Sequence, residues 1–163
     1  MPKKQTIERA RRDEREGKSA STQAGEFVRE EIEEIRAGKH GARSTKQAIA
    51  IGLSKARRAG VKLGPPKPGK TSEATRQKAQ RDLEKADSGK KPSAKRSQAT
   101  LKALQRESGA AASPEALSRQ THTAARKRSA ADRSASAKKA AQTRKRREVN
   151  SEGSQQSSQK IRE

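Results

Sequence analysis

"GEFVREEIEEIRAGKHGARSTKQAIAIGLSKARRAGVKL", residues 25–63, is the stretch that decides the fold, because helical periodicity recurs in it on both sides of a turn. Val28, Ile32 and Ile35 fall at i, i+4 and i+7 with Phe27 beside them, one apolar stripe on a helix that Gly38 would stop. The loop "KHGAR" follows. Ser44 and Gln47 then form an S-x-x-Q capping box that opens a second helix, in which Ile49, Leu53 and Ala56 repeat the same spacing. Gly60 ends that helix, and Val61 just beyond it is placed to fold back on the last turn, as Schellman endings do. The expected unit, residues 24–63, is a short helix-loop-helix hairpin. It is small for independent stability, so closing its core calls for a homodimer or for packing by Val61 and Leu63.

Outside this unit the composition is that of a chain with little to bury. Only 27% of the 163 residues are hydrophobic, 37% are charged, Phe27 is the one aromatic, and the formal net charge is +22. Such a balance cannot offset ordering entropy with apolar burial, so much of the chain is expected to be disordered when free. The expected fold class is mostly α, a hairpin with an extended, partly disordered basic helical arm and no β-sheet. The organisation reads as a charged, disordered N-terminus (1–23), the hairpin, a Pro/Gly linker (64–71), weak helical segments (72–112), a basic helical arm (113–148) and a disordered tail (149–163). Within the weak segments Ala79, Leu83 and Ala86, and then Leu101 and Leu104, offer only narrow apolar faces. The arm has a stronger start, with Ser113 as cap and Pro114 at the first helical position.

Charge is the clearest functional signal. Residues 64–163 hold 25 Lys/Arg against 10 Asp/Glu, and Leu117 to Arg147 holds 11 cations with Asp132 as its single acid. The cations cluster as Arg126-Lys127-Arg128, Arg133, Lys138-Lys139 and Arg144-Lys145-Arg146-Arg147, spaced by Ala and Ser. Small helix-forming residues between cationic clusters let a backbone follow a phosphate surface, with folding coupled to neutralisation. Lys55, Arg57 and Arg58 at the end of the second helix read in two ways. They are a solvated face paired with the glutamates of the first helix, or they are an additional phosphate-facing surface.

What is absent narrows the partner. Single-strand readers stack bases on aromatics, and this chain has only Phe27, which belongs to the hairpin core. Phosphate contact positions without specifying sequence, so double-stranded DNA fits best and structured RNA second. Cysteine is absent, and His40 and His122, far apart in sequence, read as solvated polar residues, so no metal or cofactor is expected. The acids sit among lysines and arginines on what read as solvated helices, with no nucleophile and base in a plausible constellation, so no enzyme activity or small-molecule substrate is expected. No apolar run suits a membrane span or a signal sequence, so an intracellular, cytoplasmic protein without a membrane partner is expected.

"GPPKPGKT", Gly64 to Thr71, matches the phosphate-loop pattern G-x-x-x-x-G-K-[ST]. A phosphate loop works through backbone N–H groups, and Pro65, Pro66 and Pro68 have none. The preceding "RRAGVKL" is no buried strand. The segment reads instead as a semi-rigid polyproline spacer, with Lys67 and Lys70 adding to the cationic surface.

With "KQAIAIGLSKARRAG" preceded by the acidic "EFVREEIEEIRAGKHG" and followed by a Pro/Lys linker, the chain resembles small basic bacterial proteins that carry a domain of unknown function. Its tail, "ASPEALSRQTHTAARKRSAADRSASAKKAAQTRK", is similar to the Lys/Ala-rich arms of histone-H1-like proteins. The resemblance implies a bacterial cytoplasmic protein associated with nucleic acid, and it carries no enzymatic residues. The expected function is non-specific binding of duplex DNA, as in nucleoid-associated or histone-like proteins. The alternatives are an RNA- or ribosome-associated protein, and a protein-interaction hairpin that the basic tail localises.

Overall fold

The computed structural model describes residues 2–69, 71–88 and 93–160, with backbone only at Asp87, Arg147, Asn150 and 151–160. Lys70 of the linker and the side chain of Arg147 therefore lie outside the described residues. Seven α-helices and one 3-10 turn account for the regular structure, with no strand among the described residues. The chain divides into two units, residues 1–120 and 121–163.

The first unit is built on the expected hairpin. Helix α2 (Ala20–Arg36) and helix α3 (Thr45–Arg58) pack against each other along their length. Ser44 Oγ accepts the Gln47 N–H at 3.2 Å, while the Gln47 side chain reaches back to the Arg43 N–H at 2.8 Å. Gly38 and Gly60 both take positive φ, 71° and 95°, and the Val61 N–H bonds back to the Ala56 carbonyl at 3.1 Å. Val61 is buried against Ala56 and Phe27, the fold-back that a Schellman ending provides.

The face that α3 buries shares only Ala56 with its expected apolar stripe. Ala48, Gly52 and Ala56 are buried, whereas Ile49, Ile51 and Leu53 are only half-buried. These three positions at i, i+4 and i+8 form a row of small residues that lets the two backbones approach closely. A Cβ on Gly52 would stand 2.6 Å from Val28 Cα, a distance no side chain can occupy. The larger residues flank that seam instead of filling it.

The hairpin is closed by the chain itself, through segments that carry no apolar period. Helix α1 (Lys4–Arg15) lies in the region expected to be disordered, and its buried residues are Thr6, Ala10 and Asp13. That i, i+4, i+7 stripe is helical in spacing but polar in content, which is why a hydrophobicity reading passes over it. Ile7 and Ala10 join Ala24, Phe27, Ala56 and Val61 in one core cluster. At the other end of α2, Ile32, Ile35, Ala42 and Ala48 enclose Ala112, with Ala111 and Leu117 packed alongside. Ala112 belongs to the 3-10 turn η1 (Gly109–Ala112), which Arg36 Nε and Thr45 Oγ1 hold by bonds to the carbonyls of Ala112 (2.9 Å) and Ala111 (2.7 Å).

Loop 39–43 meets the same segment. The N–H groups of Gly41 and Ala42 donate to the carbonyls of Leu104 and Ser108 at 2.9 and 3.1 Å. A Cβ on Gly41 would sit 1.9 Å from the Glu107 carbonyl oxygen. Helix α4 (Glu73–Asp87) packs on α3 with Ala79 buried, and its buried Asp82 accepts from Ser54 at 2.7 Å. Helix α5 (Ala94–Gln105) buries nothing and leaves Leu101 exposed. Helix α6 (Pro114–Arg126) opens as expected, with Ser113 Oγ accepting the Ala116 N–H at 3.1 Å.

The second unit is dominated by α7 (Ala130–Lys160), capped by Ser129, whose Oγ accepts the Asp132 N–H at 3.0 Å. Its backbone stays helical to Lys160, through the stretch from 149 that reads in sequence as an unstructured tail. No helix among the described residues is long and apolar enough to cross a membrane.

Two glycines with opposite surroundings test the α2–α3 seam. Gly52→Ala is expected to destabilise the protein by about 1–3 kcal/mol, since the backbone of α2 must retreat. Gly25→Ala, with nothing within 4 Å of its new methyl, is expected to stabilise by about 0.5–1 kcal/mol through helix propensity alone. Urea denaturation of both variants checks this, and equal stability of Gly52→Ala and the parent would rule out the close seam. Gly41→Ala is expected to release segment 104–112 from the loop, read as faster hydrogen exchange at the Ala42 amide. Unchanged exchange there would refute the docking.

Candidate functional site

Two groups of charged residues stand apart in the structure. One lies inside the first unit, where α2 meets α3. Glu30 and Glu31 are fully buried, contrary to the expectation that the acids sit on solvated helices. The reason is tertiary: α1 and loop 39–43 cover the face of α2 that a hairpin alone would leave in water. Glu30 Oε1 accepts the Lys3 backbone N–H at 2.9 Å and so caps α1, whose own N-cap residue makes no side-chain bond. Glu31 and Glu34 share the Lys55 ammonium at 2.6 and 2.9 Å.

His40 also departs from the solvated reading. Its side chain is only 9% exposed, its Nδ1 lies 3.1 Å from the Gly41 carbonyl, and its Nε2 lies 3.6 Å from Glu31 Oε1. His122 is exposed on α6, as expected. Nothing in the sequence marks His40 as interior, because its contact with Glu31, nine residues earlier, exists only once the loop folds back on α2.

These contacts also decide where three of the candidate cations go. Lys55 is engaged with Glu31 and Glu34, as the paired reading has it. Arg57 is buried, with Nε donating to the Leu63 carbonyl at 3.0 Å. Burial pulls its guanidinium below the ordinary value, partly countered by the charge of Asp82. Arg58 grips Asp82 of α4 with Nε and Nη2 at 2.9 and 2.8 Å. The end of α3 is thus held within the first unit, and Asp82 is the partner that sequence spacing did not suggest.

The second group is on the arm. Arg126, Lys127, Arg128, Arg133, Lys138, Lys139, Arg144, Lys145 and Arg146 are all exposed. Arg128 turns onto α7, where Nη2 donates to the Asp132 carbonyl at 3.1 Å and to Ser136 Oγ. At 3.6 residues per turn, Arg133 stacks with Arg144, Lys138 with Lys145, and Lys139 with Arg146, two or three turns apart. The three pairs face directions about 120° from one another. Between residues 130 and 146 every side chain is exposed, and cations point all round the helix.

Residues 3–68 match DUF6496, a family of unknown function. The matched span takes in α1, α2 and α3 and ends inside the linker, so the sequence core "KQAIAIGLSKARRAG" lies within it and the arm does not. Nothing among the curated proteins or the solved structures matches the chain.

The Lys55 cluster sets a pH window for stability. Burial works against the Lys55 ammonium, but hydrogen bonds to Glu31 and Glu34 outweigh it and leave its pKa raised above the ordinary 10.5. Burial likewise pushes the Glu34 carboxyl up, yet the Lys55 hydrogen bond and the charges of Lys55, Lys39 and Lys3 leave it below 4.5. A raised lysine contributes stability that is complete below 10.5 and is lost as pH rises through its folded value. A lowered carboxyl contributes stability that is complete above 4.5 and is lost as pH falls through its folded value. Urea midpoints are therefore expected to be flat between these limits and to fall outside them, with a shallower alkaline fall in Lys55→Met. An alkaline limb of the same steepness in that variant would contradict this assignment.

Proposed function

We propose that this protein binds nucleic acid without sequence preference, duplex DNA foremost, through the cations of residues 126–147. The observation that carries this reading is the exposure of cationic side chains on all sides of the helix between residues 130 and 146, where every side chain is exposed. From Arg133 to Arg146 the helix rises about 20 Å. Duplex DNA offers roughly a dozen phosphate charges over that length, more than enough to neutralise every cation. Ala and Ser between the clusters keep the backbone slim, so arginine and lysine heads reach phosphates on either side of a groove.

An isolated helix without a packed face is marginal in water, and like charges along it lower its stability further. Phosphates remove that repulsion, so binding and helix stability reinforce each other. The absence of aromatic residues from the arm argues against base stacking, which favours a duplex over single strands. Structured RNA presents the same phosphate chemistry and is the nearest competitor. The first unit contributes its fold to this reading, with Lys55, Arg57 and Arg58 serving its stability in place of the phosphate contact that their position in sequence suggested. The charge and the similarity of the arm to histone-H1-like proteins support a nucleoid-associated role, and the resemblance of the core motif to small basic bacterial proteins supports a bacterial setting.

Affinity for a random duplex is expected to fall steeply with salt, by about 0.9 in log–log slope for each phosphate neutralised. Replacing Arg144, Lys145, Arg146 and Arg147 by alanine is expected to flatten that slope by about 3 to 4. Fluorescence anisotropy with a labelled duplex, competed by structured RNA, measures both effects. A salt-independent affinity would refute phosphate binding, and outcompetition by RNA would reassign the partner.

A further inference from the structure

The buried polar cluster of the first unit contains an arrangement that ion pairing does not exhaust. Glu31 is 0% exposed, and its Oε1 has no hydrogen-bond donor, although Lys55 sits 2.6 Å from Oε2. The atom facing Oε1 is His40 Nε2, at 3.6 Å. A carbonyl can only accept, so the bond between His40 Nδ1 and the Gly41 oxygen places the ring proton on Nδ1. A neutral imidazole in that tautomer directs the Nε2 lone pair at a carboxylate oxygen, two acceptors face to face. Their spacing is too long for a hydrogen bond, and a positive centre between them would satisfy both. Glu34 completes the group, with one oxygen within 4.8 Å of the other two ligand atoms.

We propose that Glu31, Glu34 and His40 form a binding site for a borderline divalent cation of the Zn²⁺ class. One imidazole nitrogen and two carboxylates suit such an ion, and the bond His40 makes through Nδ1 is the supporting contact that metal-bound histidines use to fix their ring. Zinc lies about 2.0–2.2 Å from nitrogen and oxygen ligands, so two ligands in tetrahedral geometry stand roughly 3.4 Å apart. The 3.6 Å between His40 and Glu31 already meets that spacing. Lys55 is the competitor: its ammonium bridges the two carboxylates and must swing out when a dication enters. Its side chain is 22% exposed, so it already touches solvent. Lys39, 3.6 Å from Glu34, is half-exposed and equally able to withdraw into solvent.

This exchange gives the site a signature that casual binding to surface acids lacks. The full-length, untagged protein is titrated with ZnCl₂ by calorimetry, with cobalt as a spectroscopic reporter and Mg²⁺ as comparison. The expected result is one zinc per chain, a visible cobalt band typical of nitrogen and oxygen ligands in low coordination, and no comparable magnesium uptake. His40→Gln and Glu31→Gln are expected to weaken zinc at least about tenfold, and His122→Gln to leave it unchanged. Lys55→Met is expected to bind zinc about tenfold more tightly or better, because the internal cation is gone. Should Glu31→Gln not fold, as judged by circular dichroism, His40→Gln and Lys55→Met decide the matter. Undiminished binding in His40→Gln, zinc affinity in Lys55→Met no better than in the parent, or no stoichiometric zinc at all would overturn the proposal.

Discussion

The close approach of α2 and α3 is the constraint on which the rest of the first unit depends. Ala48, Gly52 and Ala56 bring α3 so near to α2 that Gly52 meets Val28 at backbone distance. Phe27 and Ile32 belong to two separate core clusters, one towards each end of α2. Each end then needs its own cover, which α1 supplies on one side and η1 on the other. The same proximity brings Lys55 of α3 within reach of Glu31 and Glu34 of α2. A wider hairpin built on Ile49 and Leu53 would have left these groups in water.

Charge therefore plays two physically separate parts in one chain. At the end of α3, cations are engaged within the first unit: Lys55 by buried carboxylates, Arg57 by a carbonyl, Arg58 by Asp82 of α4. Buried ion pairs of this sort do not add much net stability, since desolvation offsets most of the attraction, but removing one partner leaves a buried charge exposed to its full cost. Their main effect is to specify which surfaces meet. On the arm, by contrast, exposed cations are spread round the helix, a surplus that attracts polyanions from a distance.

The hairpin was legible from residues 25–63 because its signals are local. Caps at Ser44 and Ser113, stops at Gly38 and Gly60 and the return of Val61 each depend on a few consecutive residues, and each appears in the structure. The exposure of the arm from residue 121 to 146 was legible too, since a helix of Ala, Ser, Lys and Arg has little to bury. The covers of the hairpin were not. Helix α1 docks through Thr6, Ala10 and Asp13, a stripe that hydrophobicity cannot detect, and Ala112 reaches its core place from more than sixty residues downstream of α3's start. The polar cluster escaped notice for the same reason, because Glu31, Lys55 and His40 are separated along the chain and acquire their character only when water is excluded from around them.

By itself, then, the sequence determined the two helices of the hairpin and the start of α6, with their caps and stops, and that residues 64–163 hold most of the net charge. Those are consequences of backbone propensity, capping chemistry and composition, which act within a few residues. Only the tertiary structure decided which face of α3 is buried, which of its cations remain available to a partner, and that an imidazole and two carboxylates converge at one place. These depend on the distance between backbones, and that distance is set by the absence of a side chain at Gly52, whose meaning emerges only when Val28 lies against it.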